Sequence, residues 1–233
     1  MKHSLLSASV AAALVLGASS SAFAQATTVK LGILNAQPNS TATAINGPFS
    51  PVDALSLDVK SKSTLFFSVA REFNDNWEVE LSGGLPPTHD VAVVVLKPAA
   101  LPPSVAAQDG AIGAKVRQVA PTLFANYKFG DKASQIRPFV GVGVNYTVFD
   151  KADSTAVGDA INGGPTTLKL EDSVGLALQA GITAKLGGAW SITGALATAQ
   201  VKTKLITNTL GIERRADIKF SPTVFIVSAG YSF

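Results

Sequence analysis

Apolar residues alternate with small or polar residues along most of this chain, with the period of two that β-strands have. From Val174 to Leu186 every second residue is apolar, while Gly, Ala, Gln, Thr and Lys occupy the positions between. A helix would mix these two sets around its circumference, whereas a strand separates them onto opposite faces. The same alternation recurs at 77–85, 122–129, 139–148 and 225–233. The pattern predicts an all-β protein.

Turn residues divide the chain into eight predicted strands, three short connections and four long ones. The strands are expected at about 27–35, 57–73, 77–96, 113–129, 136–150, 168–186, 190–205 and 216–233. The long connections are the polar or Pro/Gly-rich stretches at 36–56, 97–112, 151–167 and 206–215. A barrel with both termini on one side has one connection fewer on that side. The count therefore fits short periplasmic turns and longer extracellular loops.

The chemistry of the two alternating sets indicates which one faces inward. One set is apolar, and the other is rich in Gly, Ser, Thr, Asn and Gln. In a soluble periplasmic sandwich or lipocalin-like barrel the apolar set would point inward and the other would be a solvated surface. So many small residues suit a narrow polar lumen instead. We predict an eight-stranded antiparallel transmembrane β-barrel, with the soluble barrel as the alternative.

The first two dozen residues have the composition of a secretory signal peptide. Lys2 precedes an apolar run of small residues, and Ala22-Phe23-Ala24 has the form of a cleavage site. The run is too short to span a bilayer as a helix, which disfavours an uncleaved anchor. We predict a signal peptide at 1–24 and one barrel domain at 25–233, in the outer membrane of a Gram-negative bacterium.

Composition narrows the partners and the stabilising chemistry. The chain has no cysteine, so an exported fold would be held by backbone pairing and packing without disulfides. Its formal net charge is only +3 and is scattered along the chain, which argues against a nucleic-acid partner. The mean hydropathy is positive although no segment after the first is long enough for a transmembrane helix. The expected surroundings are outer-membrane lipids.

Inward positions of the predicted strands carry charged and amide side chains. An eight-stranded lumen is just wide enough to be filled by side chains, so these groups should pair with one another. We expect them to close the periplasmic end of the barrel. They are Glu72, Glu78, Glu80, Lys128, Lys185, Gln118, Asn126, Gln179 and Asn145.

Five inward residues are apolar and interrupt this polar lining. They are candidates for the binding lining of a short hydrophobic passage above the closed end, and ordinary lumen packing is the alternative. The five are Phe66, Phe124, Phe139, Val224 and Ile226.

Pro86 and Pro87 lie within the third predicted strand and cannot donate to a strand ladder. One interpretation is a gap in the barrel wall, a lateral opening through which an apolar solute reaches the bilayer. The other is a bulge where the barrel bends above the membrane. The sequence leaves both interpretations open.

His89 is the one histidine beyond the predicted signal peptide. Metal binding would need partner ligands, and neighbouring Asp90 would face the opposite side of a strand. No G-x-S-x-G motif is present. We therefore expect no catalytic residue, no metal and no cofactor, and a His89 that is either hydrogen-bonded or facing a loop. The terminal Tyr231-Ser232-Phe233 is similar to the aromatic signal that the barrel-assembly machinery reads. The same outward aromatic residues would also anchor the barrel at the membrane interface, so both roles can hold.

Several motifs, in order, resemble the OmpW family over nearly the whole chain after residue 24. They are 74–81 (NDNWEVEL), 87–90 (PTHD), 118–123 (QVAPTL) with 127–129 (YKF), 137–147 (RPFVGVGVNYT) and 168–181 (LKLEDSVGLALQAG). One departure is at Leu85-Pro86-Pro87, where the family usually has an aromatic residue and one proline fewer.

This resemblance implies an outer-membrane barrel that gives small hydrophobic solutes a passive route, with exit sideways through the wall. The missing aromatic ring puts the ligand preference of the relatives in doubt for this chain. A structural or adhesive barrel without transport, whose loops bind a partner, is the alternative. A barrel enzyme acting on lipid is disfavoured because His89 lacks catalytic partners.

Overall fold

The computed structural model describes residues 26–48 and 50–233, so the signal peptide predicted at 1–24 lies outside the described residues. Fifteen strands of the described residues form one sheet. They are β1 (Thr27–Gln37), β2 (Ser40–Ala42), β3 (Leu55–Val59), β4 (Lys62–Glu72), β5 (Trp77–Gly84), β6 (Thr88–Val95), β7 (Ile112–Val119), β8 (Thr122–Lys128), β9 (Ile136–Ser154), β10 (Thr166–Leu170), β11 (Ser173–Gly187), β12 (Trp190–Ala199), β13 (Val201–Thr209), β14 (Ile212–Phe220) and β15 (Thr223–Ser232).

The helices of the described residues are short and lie in the connections. They are α1 (Pro103–Ala106), α2 (Ala156–Asn162) and a 3-10 turn at Pro98–Ala100. Thr155 caps α2 by accepting a hydrogen bond from the Gly158 N–H, and Gly163 ends it in the left-handed conformation. None of these helices is long and apolar enough to cross a membrane.

Eight strands close into a ring at one end of the molecule, which we call the lower barrel. Their order is β11, β12, β15, β1, β4, β5, β8 and β9, and β9 pairs with β11 to complete the ring. Closure leaves no strand edge in this ring. A membrane requires such closure, because lipid offers no hydrogen-bond partner to unpaired backbone groups. The prediction of an eight-stranded antiparallel transmembrane barrel is confirmed.

The outer face of the lower barrel is apolar and its inner face is polar or small. Outward Leu31 and Val174 are 63% and 69% exposed, whereas their inward neighbours Lys30 and Ser173 are buried. The ten residues of β12, at about 3.3 Å each and tilted by about 40°, span about 25 Å, the height of the apolar band of outer-membrane barrels. The predicted orientation is confirmed for this part of the molecule.

Short turns join β4 to β5, β8 to β9 and β11 to β12 at one end of the lower barrel. At the opposite end, above the lower barrel, the other strands form a second ring with the upper half of β9. We call it the upper barrel. Its order is β3, β6, β7, β9, β10, β13, β14 and β2. The Ile45 N–H donates to the Leu55 carbonyl with an N···O distance of 3.0 Å, which links the segment after β2 to β3.

The two faces exchange polarity in the upper barrel. Its inward side chains include a buried apolar cluster of Val91, Val116, Leu170, Leu205, Ala216 and Ile218. The outward residues of β13 and β14 include Lys202, Lys204, Asp217 and Lys219. Water surrounds strands that project beyond the lipid, so the hydrophobic effect turns their apolar face inward. The polar lumen predicted by the alternation is therefore found in the lower barrel and not in the upper one.

The prediction of a long loop at 206–215 is wrong. This segment is the tip of a hairpin in which β13 and β14 pair from Val201 with Phe220 to Thr209 with Ile212. Leu210 and Gly211 form its two-residue turn with φ angles of 52° and 87°. Positive φ at both positions is the geometry of a tight hairpin turn, and Gly adopts it without strain. The turn was not predicted, because Leu210 stands where such turns usually have Asn, Asp or Gly.

Most of the segments that run from the lower barrel into the upper barrel are interrupted at the boundary between the two. Proline occurs in four of the interruptions, where it cannot donate to a ladder. The interruptions are 38–39, 60–61, 85–87, 120–121, 171–172, 200 and 221–222. The strand β9 alone among the described strands runs through the boundary.

The lumen of the lower barrel is filled by a buried ion-pair network, which we call the polar plug. Lys30 Nζ lies 2.9 Å from Glu80 Oε1 and 3.7 Å from Glu78 Oε1. Lys128 Nζ pairs with Glu78 and lies 3.0 Å from Glu72 Oε1. Because these carboxylates have cations beside them, their burial is compensated.

Neutral side chains complete the hydrogen bonds of the plug. Asn126 Nδ2 donates to both Glu78 and Glu80 at 3.0 and 2.9 Å, and Gln179 Nε2 donates to Glu80 at 3.2 Å. Asn126 and Gln179 use Glu80 Oε2, while Ser68 Oγ donates at 2.6 Å to Glu80 Oε1, the oxygen that also contacts Lys30. Every carboxylate oxygen of Glu80 is thus occupied, as a buried charge requires.

Not every residue predicted for the plug belongs to it. Lys185 is exposed and donates to the Lys132 carbonyl in a periplasmic turn. Gln118 contacts His89, and Asn145 donates to Thr122 Oγ1, both above the plug. Lys30 is a central member that the prediction omitted. Lys30 lies between the apolar residues Val29 and Leu31, and this alternation predicts that its side chain faces inward.

We predict that Lys30→Met strongly destabilises the folded barrel. The substitution leaves the buried Glu78 and Glu80 short of a cation, and breaking a buried pair costs about 3–5 kcal/mol. The measurement is urea unfolding in lipid vesicles. Lys202→Met is the matched control, because Lys202 is exposed and makes no ion pair within the described residues. Equal stabilities of the two variants would contradict the role of the plug.

Candidate functional site

A cavity of about 350 Å³ lies inside the upper barrel and reaches the top of the lower barrel. Its walls include Val91, Val116, Leu170, Leu205 and Ile218, which also belong to the apolar cluster of the upper barrel. A volume of this size is at the small end of the range for small-molecule sites, which are typically concave and mostly apolar. The cavity is the candidate binding site.

Four of the five predicted passage residues line this cavity. Phe66, Phe124 and Ile226 are buried, and Val224 is half-buried. They come from strands β4, β8 and β15 of the lower barrel, close to its upper end. Because the polar plug begins below them, these residues form the floor of the cavity. Whether they bind a solute stays a prediction.

Phe139 does not join the other four. It is buried, but it pairs with Lys128 across the ladder and therefore lies at the level of the plug. The Lys30 Nζ is 5.9 Å from the centre of its ring, within the range of a cation–π contact. The inward orientation of Phe139 agrees with the alternation. Its height on β9 removes it from the cavity, and sequence alternation does not report height.

The predicted lateral opening lies between the segment that joins β5 to β6 and the segment that joins β7 to β8. The last ladder pair below it is Ser82 with Thr122. The next backbone contact above it is the Gln118 N–H donating to the Pro87 carbonyl, at 3.3 Å. Between them, residues 83–86 and 119–121 form no ladder pairs with each other. The wall therefore has an interruption in its backbone pairing at this point.

The two prolines have different positions at this interruption. Pro87 lines the cavity, whereas Pro86 is exposed on the outside. On the other side of the segment, the Leu85 N–H donates to the Leu65 carbonyl at 3.0 Å, which holds it against β4. The unpaired side is thus the one facing Pro121. Pro121 also lacks an N–H, so each of the two segments that border the gap lacks a backbone donor.

His89 is buried and faces the cavity from β6. Its Nδ1 lies 2.9 Å from the Lys60 carbonyl, which assigns the ring proton to Nδ1. Its Nε2 then accepts from Gln118 Nε2 at 3.3 Å. Burial lowers the pKa of His89 below its ordinary value, so the imidazole is neutral near pH 7. Both ring nitrogens are occupied, and the described residues contain no cluster of potential metal ligands.

The ionisable residues that line the cavity are His89 and Arg214. Arg214 had no predicted inward or outward face, because it lies within the loop predicted at 206–215. The available signal was the alternation of inward Ala216 and Ile218 with outward Asp217 and Lys219, which extends back to Arg214. A strand that begins at Ile212 predicts an inward Arg214 by this alternation.

We predict that His89 makes the stability of the barrel fall in mild acid. Its pKa is lowered in the folded state, so the unfolded chain binds the proton more readily. This loss begins as the pH falls below about 6.5 and is complete once the pH reaches the lower folded-state pKa. Urea unfolding of wild type and His89→Gln between pH 8 and pH 5 measures it. An equal pH dependence of both proteins would exclude His89 as its source.

Comparison with known proteins identifies the family of this barrel. The model of the OmpW family matches residues 26–233. Outer membrane protein W of Vibrio cholerae is 29% identical over 88% of this chain and 87% of its own length. That of Salmonella typhimurium is 33% identical over 76% of each chain. The crystal structure of OprG from Pseudomonas aeruginosa superimposes with a TM-score of 0.77 at 27% identity, covering 90% of this chain and 96% of OprG. The chain belongs to the OmpW family of outer-membrane proteins.

Proposed function

We propose that this outer-membrane barrel is a passive route for small hydrophobic molecules. The observation that carries the proposal is an apolar cavity of about 350 Å³ that lies directly above a closed polar plug. A solute that enters this cavity from the extracellular side exchanges water for an apolar wall. Burial of apolar surface makes this transfer favourable, at about 25 cal/mol per Å².

The polar plug blocks a straight path to the periplasm. Moving an apolar solute past Lys30, Glu78 and Glu80 would separate buried charges from their partners, which costs several kcal/mol. The same pairs leave no continuous water column for ions. The barrel should therefore conduct ions poorly while accepting apolar solutes.

The exit in this proposal is sideways, through the interruption between residues 83–86 and 119–121. Gly84 and Pro87 line the cavity on its inner side, and Leu85 is exposed on its outer side. A solute that leaves there enters the outer-membrane lipids without crossing water. Its partners are accordingly small hydrophobic solutes and lipids, and the barrel has no enzymatic role.

We predict that the purified barrel accelerates the entry of an apolar solute into liposomes several-fold over empty liposomes. Ion conductance should stay close to that of the bare bilayer, because the plug is closed. Quenching of a fluorescent reporter enclosed in the liposomes measures solute entry. Planar-bilayer recording measures ion conductance. Solute entry no faster than into empty liposomes would favour a structural or adhesive barrel instead.

We predict that replacing Pro86 with Thr and Pro87 with Val slows this entry about tenfold, equivalent to about 1.4 kcal/mol in the barrier. The new N–H groups can pair with carbonyls of residues 119–121 and close the gap. Pro138→Val is the matched control, because Pro138 faces lipid within the lower barrel. Unchanged entry in the double variant would remove the gap from the route.

A further inference from the structure

Arg214 is a buried cation without a counter-ion. Its exposed fraction is only 8%, and its Nη1 has no hydrogen-bond partner among the described residues. No carboxylate of the described residues forms an ion pair with it. Its neighbours Glu213 and Arg215 face outward and pair with each other at 3.2 Å. The nearest acid along the strand is thus engaged on the opposite face.

The surroundings of Arg214 fix it at the outer end of the cavity. It lies two residues into β14, next to the hairpin turn, and pairs in register with Thr207, which also lines the cavity. Gly47 covers its stem so closely that an added Cβ would lie 2.8 Å from the Arg214 Cγ. The loop after β2 therefore packs over this side chain and shields it from water.

A buried guanidinium with an unused donor is costly, because desolvation removes its water and nothing in the described chain replaces it. The rest of the cavity offers no compensation. His89 is neutral and fully hydrogen-bonded, so Arg214 gives the lining a net charge of about +1. A single cation at one end of an apolar cavity is complementary to a molecule with one anionic head and an apolar tail.

The charge of the site selects among anions. A guanidinium forms two parallel hydrogen bonds with a carboxylate or a phosphate. A phosphate monoester, however, carries about −1.5 to −2 charges at neutral pH, and one arginine would leave much of that charge buried without a partner. A carboxylate carries one charge, which Arg214 balances.

We propose that Arg214 binds the carboxylate of an amphipathic molecule whose aliphatic tail extends toward Phe66, Phe124 and Ile226. This assignment rests on the proposed function and names the substrate class of the same cavity. The apolar walls bind the tail, and the guanidinium donates to the carboxylate through its free Nη1. Medium-chain fatty acids have this chemistry.

Decanoate and decanol, which differ in the head group, test the proposal. Binding to the barrel in lipid nanodiscs is measured against empty nanodiscs. Arg214→Met should weaken decanoate binding at least about tenfold, the value of a charged hydrogen bond, and leave decanol binding unchanged. Arg215→Met, on the outer face of the same strand, should change neither.

The outcomes separate this inference from the proposed function. If wild type binds neither ligand, both proposals fail. If wild type binds both ligands and Arg214→Met weakens both equally or neither, the cavity accepts apolar molecules but Arg214 does not recognise their head group. Urea unfolding of Arg214→Met shows whether the variant is folded.

A second measurement needs no variant. Carboxyl-labelled decanoate bound to wild type is titrated by ¹³C NMR. Beside Arg214, the pKa of its carboxyl group should lie below the value in empty nanodiscs, because a nearby cation favours the charged form. A raised pKa would show desolvation without a cation and would overturn the assignment.

Discussion

The medium around the barrel changes from lipid to water along its axis, and the rest of the structure follows from this constraint. In lipid, the apolar face of each strand is outward, as at Leu31 and Val174, which leaves polar residues for the lumen. In water, the same hydrophobic effect turns the apolar face inward, as at Val91 and Leu205. One closed sheet therefore encloses two unlike interiors, an ion-pair network below and an apolar cavity above.

The lower interior determines what the upper one can do. A lumen that narrow cannot hydrate its charges, so Lys30, Glu78 and Glu80 must satisfy one another, and their pairing closes the barrel. A molecule in the apolar cavity consequently has charged residues of the plug, Lys30 and Glu80, beneath the floor residues Phe66 and Ile226. The hydrocarbon of the membrane is the nearest medium of matching polarity, and it lies across the wall.

The sequence predicted the part of the molecule where strand period and lipid exposure agree. Alternation found the lower barrel, its orientation, its three short turns, and the four residues that line the cavity floor. It failed where the outer medium changes, because a period of two shows which residues share a face and not what surrounds them. Arg214 was missed because its hairpin turns at Leu210-Gly211, which is not a typical turn pair. Phe139 was placed in the passage because alternation carries no information on the position of a residue along the barrel axis.

The interruption at residues 85–87 has a structural cause that accounts for the gap beside the cavity. Below it, the inward residues of β5 are even-numbered, from Glu78 to Gly84, and above it the inward residues of β6 are odd-numbered, with His89 and Val91. An unbroken strand would turn Asp90 inward and His89 outward, because side chains alternate strictly. A carboxylate would then enter an apolar wall without a partner, at a cost of several kcal/mol. The break shifts the face by one residue and prevents this. Because this shift needs residues that leave the ladder, the change of inward face between β5 and β6 and the unpaired segment in the wall are one feature.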